Sequence, residues 1–157
     1  MIRVIRKYQP EIIFGNILHD RHPDHGRAGQ LISTASFLSG LSKIETTDEE
    51  GKAQQKWKPK YLLHYLQDWY HEPDVIFDIS DVFEQRMKAI EAYTTQFNAI
   101  DDSDGPQTYI STPDFLESVI ARARVLGKKI GARFGEGFIS EKKIGIRNLD
   151  ALVLNET

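Results

Sequence analysis

Cysteine is absent from the 157 residues. That excludes disulfides, thiolate nucleophiles and any metal centre built on sulfur, so a metal here has to be held by imidazole and carboxylate groups. Basic residues are not in excess: 20 Lys and Arg against 23 Asp and Glu leave a formal net charge of -3, without the basic face that nucleic-acid-binding domains usually carry. Long apolar runs are missing as well. The opening Met1-Ile2-Arg3-Val4-Ile5-Arg6 lacks the apolar core of a secretory signal, and no later stretch has the length of a membrane span. These absences set the expectation of a cytoplasmic protein with no nucleic-acid or membrane partner. What is present, 40% hydrophobic and 27% charged residues, is the make-up of a single globular domain able to bury a core.

The chemistry concentrates in His22-Pro23-Asp24-His25-Gly26-Arg27, two imidazoles and a carboxylate within four positions. The apolar run Ile12-Ile13-Phe14 precedes it, and the periodic residues Ala28, Leu31, Ile32, Ala35 and Leu38 follow. Strand, reactive turn, helix is the order this implies, and in an open α/β sheet such a turn lies at the carboxyl end of a strand, where ligands bind. Pro23 suits the first helical position. His22 and His25, three apart, share a face if the helix begins there. The stretch reads as half of a metal site, because a catalytic zinc takes three protein ligands and keeps a fourth position for water. The plainer alternative is that both histidines only cap the helix.

Along the chain, Ile2, Ile5 and Tyr8 recur at helical spacing until Pro10, and a strand occupies the Ile12 to Leu18 run. Gly40 closes the helix that follows the motif. Glu45 to Lys60 reads as a solvated loop or flap. Tyr61–Tyr65 and Val75–Ile79 are β-favouring, and Asp81 to about Phe97 is helical. Asn98 to Tyr109 is an acidic loop without the ligand spacing of a calcium site. Thr112-Pro113-Asp114 opens a helix with Leu116, Val119, Ile120, Ala123 and Ile130 inward. The cations Arg122, Arg124, Lys128, Lys129 and Arg133 gather along its later part, where they favour its dipole. Phe134-Gly135-Glu136-Gly137-Phe138 is a glycine-flanked acidic turn, and Ile144 to Leu154 is weakly apolar. His19, His64 and His71 are taken as structural or surface residues.

Asp20 to Ala28, the segment HYLQDWYHEPDVIFDISDVFEQRMKAIEAYTTQF and the segment ARARVLGKKIGARFGEGF together resemble the later part of the LmbE-like (PIG-L) zinc deacetylases. Within that family they are most similar to the branch that removes acetate from N-acetylglucosaminyl-malate in bacillithiol biosynthesis. The resemblance implies a Rossmann-like α/β sandwich, with a mostly parallel sheet and helices on both faces, forming one domain over residues 1–157. It implies zinc as cofactor, with His25 as a ligand, His22 stabilising the tetrahedral intermediate or holding substrate, and Asp24 supporting an imidazole. Arg21 and Glu136 are candidate substrate contacts. The implied partner is a small amino-sugar conjugate.

The family's opening Ala-His-Pro-Asp-Asp motif, which supplies two more ligands and the general base, has no counterpart, since His22-Pro23 is the one His-Pro present. The expectation is therefore a domain incomplete at its N-terminal side, working as a homo-oligomer or with a chain that supplies the missing segment. Two other readings stand beside it: a non-catalytic module that binds sugar or pairs with a partner, and a nucleotidyltransferase. The last is disfavoured because Asp24 would repel a phosphate.

Overall fold

The computed structural model describes residues 1–93 and 109–153 and divides the chain into two compact units. The first comprises residues 1–71 and 139–157, the second residues 72–138.

The first unit opens with α1 (Ile2–Tyr8), which ends at Gln9 in a left-handed conformation one residue before Pro10. Then come β1 (Ile12–Asn16), α2 (Pro23–Ser39) and β2 (Tyr61–Tyr65). β1 and β2 pair in parallel, Ile12 opposite Tyr61 and Asn16 opposite Tyr65. A parallel pair needs a crossover, and α2 supplies it. α2 starts at Pro23 and is closed at Gly40, as the proline and glycine require. Its first turns lie close against the end of β1: a Cβ on Gly29 would stand 2.6 Å from the Ile17 carbonyl oxygen. Only glycine allows that approach.

Residues 45–60 do not form a free flap. Thr47 and Ala53 make a β-bridge, and Asp48 caps the turn between them by accepting from the backbone of Glu50 and Lys52. The stretch leading into this turn is tied down by Arg6, which is buried. Its guanidinium donates to the carbonyls of Ser39 (3.0 Å), Leu41 (2.8 Å) and Ile44 (2.6 Å) and to the Thr46 hydroxyl (2.8 Å). A charged group with that many acceptors tolerates burial.

The second unit holds β3 (Val75–Asp78), α3 (Phe83–Glu91), α4 (Pro113–Lys129) and the first part of β4 (Gly135–Ser140). β3 and β4 are antiparallel, Val75 opposite Phe138 and Asp78 opposite Gly135. The fold is thus α/β as the sequence implies, with a mixed rather than a mostly parallel set of pairings. The glycine-flanked segment expected as a turn is in fact strand: Gly135 and Gly137 carry no side chain because α4 and Pro73 press on them, a Cβ on Gly135 falling 2.7 Å from the Gly127 nitrogen. Ile79, Phe83, Ala123 and Phe134 form the core, with Phe83 and Phe134 stacked at 3.6 Å between ring centres. Leu126 is more deeply buried than any of the inward residues expected on α4, whereas Ile120 is 38% exposed. Arg124 and Arg133 also face an aromatic ring. Their guanidinium carbons lie 4.3 and 5.3 Å from the Phe134 ring centre, where the aromatic quadrupole attracts a cation.

The helix expected to reach Phe97 ends at Glu91 with Ala92 as its C-cap, and residues 94–108, which include most of the expected acidic loop, lie outside the described residues. Among those described, no helix is long and apolar enough to cross a membrane.

Candidate active site

The turn between β1 and α2 is organised by a residue to which sequence reasoning gave no role. Asp20 follows the end of β1, and its side chain is fully buried. One carboxylate oxygen accepts from the Trp69 backbone N–H at 2.7 Å, the other from the Asp68 N–H at 3.3 Å and from His25 Nδ1 at 2.5 Å. Burial pushes its carboxyl group up, but the hydrogen bonds from Trp69, His25 and the backbones of Arg21 and Asp68 together outweigh this and hold it below the ordinary carboxylate range.

The effect on stability has a definite sign. An unfolded aspartate titrates near about 3.9, so stability from this depressed group is complete above that value and is lost as pH falls through the lower folded one. Urea unfolding between about pH 5 and pH 2 should therefore show a steeper loss of stability for the native protein than for Asp20→Asn. Equal slopes would mean that Asp20 is not held as described.

The same bond fixes the state of His25. Because Nδ1–H donates to a carboxylate, the neutral ring presents its Nε2 lone pair, the arrangement of a metal-ligating histidine with its supporting carboxylate. His22 is fixed in the opposite sense. It is the N-cap of α2, and its Nδ1 accepts the Asp24 N–H at 3.2 Å, so the neutral ring carries its proton on Nε2. The ring centres are 5.3 Å apart and the planes tilted by 36°. The turn thus juxtaposes a lone-pair donor and a hydrogen-bond donor. The capping alternative is true of His22 and compatible with chemistry at its other nitrogen.

Of the remaining candidates, Asp24 is 68% exposed, ion-paired with Arg27 at 3.1 Å and 3.9 Å from His22 Nδ1. Its backbone rather than its carboxylate holds an imidazole, and the carboxylate that does so is that of Asp20. Arg21 donates from Nε to Asp68 at 2.7 Å. Glu136, in the second unit, lies on β4 and accepts from Arg86 Nε at 3.3 Å. Of the other histidines, His71 donates to the His19 carbonyl, and His64 is fully buried with its ring nitrogens at the Asn16 carbonyl and the Glu141 carboxylate. Asp20 was visible in sequence only as an acidic residue at a strand end, five positions before His25.

His25 with Asp20 fits one ligand of a zinc site. Among the described residues no group of three or more His, Asp or Glu side chains could hold a metal ion. A complete centre is therefore not found within them.

This is the α/β fold of LmbE-like deacetylase structures. No family model matches the chain. It is 28% identical over 140 residues to the diacetylchitobiose deacetylase of Thermococcus kodakarensis, a match covering 87% of this chain and 47% of that protein. The chain thus spans about half the length of this curated relative. Among solved structures it is similar to the N,N'-diacetylchitobiose deacetylase of Pyrococcus horikoshii, with a TM-score of 0.65 and 29% identity over 88% of this chain and 48% of that one. The conserved protein TT1542 of Thermus thermophilus matches with a TM-score of 0.74 at 24% identity, covering 93% and 58%. The 4-carboxy-2-hydroxymuconate hydratase of Pseudomonas putida matches at 0.66 and 16%, covering 94% and 59%. These last two likenesses concern the fold alone.

Proposed function

We propose that this chain contributes part of the active site of a zinc-dependent deacetylase acting on an N-acetylated amino sugar. The observation that carries the reading is the opposed tautomers of the turn: His25 Nε2 offers a lone pair and His22 Nε2 a proton, on neighbouring rings at the carboxyl end of a strand. The similarity to two diacetylchitobiose deacetylases supports the substrate class. The N-acetylglucosaminyl-malate of bacillithiol biosynthesis carries the same N-acetylglucosamine amide and is the specific substrate proposed.

In this reading His25 is a metal ligand oriented by Asp20. Zinc, when bound, polarises the acyl carbonyl and acidifies a water molecule. His22 Nε2–H donates to the carbonyl oxygen as negative charge develops there. Asp24 acts through its backbone, by holding the His22 ring. Arg21, fixed beside the motif by Asp68, is the proposed contact for polar groups of the sugar conjugate. The other ligands and the general base come from a further segment of polypeptide or a partner chain, and the protein is proposed to work in the cytoplasm.

The test pairs metal content with turnover, measured with the segment that supplies the other ligands and the base present in cis or as a partner chain. His25→Ala should weaken zinc binding by about a hundredfold or more, since even loss of a supporting group costs ten- to a hundredfold. His22→Ala should retain zinc and lower acetate release from diacetylchitobiose or N-acetylglucosaminyl-malate by about a hundredfold. Loss of zinc in His22→Ala with retention in His25→Ala would reverse the roles. No change in either variant would refute the site.

A further inference from the structure

We propose that Trp69 is the stacking platform for the sugar ring whose N-acetyl group faces His22 and His25; the proposal rests on the deacetylase reading and adds the means of substrate recognition. Residues 66–71 follow β2 and are fastened to the turn that carries the imidazoles. Asp20 accepts the backbone N–H groups of both Asp68 and Trp69, Arg21 donates to the Asp68 carboxylate, and His71 donates to the His19 carbonyl. A single carboxylate therefore links the Trp69 backbone to the His25 ring. The segment is pinned at four points, yet the Trp69 residue is 53% exposed.

Leaving about half of a large aromatic residue in water forfeits favourable burial, and here the surrounding backbone is too well bonded for the exposure to reflect a loose loop. The other tryptophan shows the structural alternative: Trp57 donates its indole N–H to the Pro10 carbonyl at 2.7 Å and helps close the first unit. Trp69 is held by its backbone and leaves its indole facing solvent. A rigidly mounted, solvent-facing aromatic beside a polar site matches what a pyranose ring offers, a face of C–H groups to lie on the indole and peripheral hydroxyls for the indole N–H. Tyr70, also exposed at 56%, extends the aromatic surface.

With two tryptophans in the chain, Trp57→Phe leaves Trp69 as the sole indole fluorophore. Titrating that variant with N,N'-diacetylchitobiose, zinc present, should shift or quench its emission saturably. In the otherwise native protein, Trp69→Ala should weaken diacetylchitobiose binding, measured by calorimetry, about tenfold or more, and raise KM by a similar factor with little change in kcat or zinc content. Trp69→Phe, which keeps an aromatic face, should recover most of the loss. Unchanged saccharide affinity in Trp69→Ala, or equal losses in the Ala and Phe variants, overturns the platform while leaving the deacetylase reading intact. Saccharide binding that depends on Trp69, without acetate release even when the segment supplying the other ligands and the base is present, keeps the platform and refutes the deacetylase. Absence of saccharide binding by the native protein, with Trp69→Ala instead lowering its oligomeric state, assigns the residue to a protein interface and overturns the proposal.

Discussion

Asp20→Ala is expected to lose on the order of 3–5 kcal/mol of unfolding free energy and, in the same protein, to weaken zinc binding roughly ten- to a hundredfold. The carboxylate is fully buried, and every bond it makes is to a donor: the N–H groups of Trp69, Asp68 and Arg21, and His25 Nδ1. Truncation leaves those donors facing an apolar methyl group, and a buried unpaired donor costs about 1–3 kcal/mol each before any water enters. The metal effect has a separate cause. Without its carboxylate partner the His25 ring is free to rotate and to adopt the other tautomer, so Nε2 no longer presents its lone pair in a fixed direction. Urea unfolding and zinc titration of one purified variant read both terms. A loss below about 1 kcal/mol would show that these donors are readily satisfied by solvent.

Arg6→Leu should destabilise the protein by about 3 kcal/mol, lowering the melting temperature by roughly 6–12 °C, while leaving zinc binding unchanged. The guanidinium satisfies three main-chain carbonyls at and just beyond the end of α2, together with the Thr46 hydroxyl, from a side chain that is almost wholly buried. The Ser39 and Leu41 carbonyls each keep one other donor, the N–H groups of Trp57 (3.0 Å) and Ile44 (3.3 Å), so what is lost is the set of charged hydrogen bonds rather than every partner. Leucine fills most of the volume and isolates the loss of hydrogen bonds from the creation of a cavity. Arg6→Lys should recover only part of the stability, because one ammonium group cannot span acceptors that the planar fork reaches from three nitrogens. A full recovery with lysine would reduce the role of Arg6 to its charge.

Much of the first unit was legible because its signals are local. Pro10 separates α1 from β1, Pro23 and Gly40 bound α2, and Tyr61–Tyr65 coincides with β2. Pairing direction is not local, and nothing in Val75–Asp78 or Gly135–Ser140 announces that they run antiparallel. Glycines 135 and 137 looked like turn residues because the same absence of a Cβ serves a strand lying close against a helix. At the site, sequence proximity favoured Asp24 as the carboxylate beside an imidazole. The helix instead points Asp24 toward solvent and Arg27, whereas the turn folds Asp20 back onto His25. Nothing local marks Arg6 as buried, because the carbonyls that surround it lie 33 and more residues later in the chain.

The buried His64 ties the centre of the first unit to residues that arrive late. Its Nδ1 meets the Asn16 carbonyl, but its Nε2 meets Glu141, 77 residues further along the chain. At ordinary synthesis rates of about 5–20 residues per second, the interval between the two is roughly 4–15 s. Hairpins, helices and even the β1–α2–β2 crossover assemble far faster than that. A nascent chain can therefore carry a formed parallel pair whose central imidazole still lacks one acceptor until the segment that carries Glu141 has emerged. The order of synthesis, not the stability of the finished unit, sets when this half of the molecule is most exposed to misassembly.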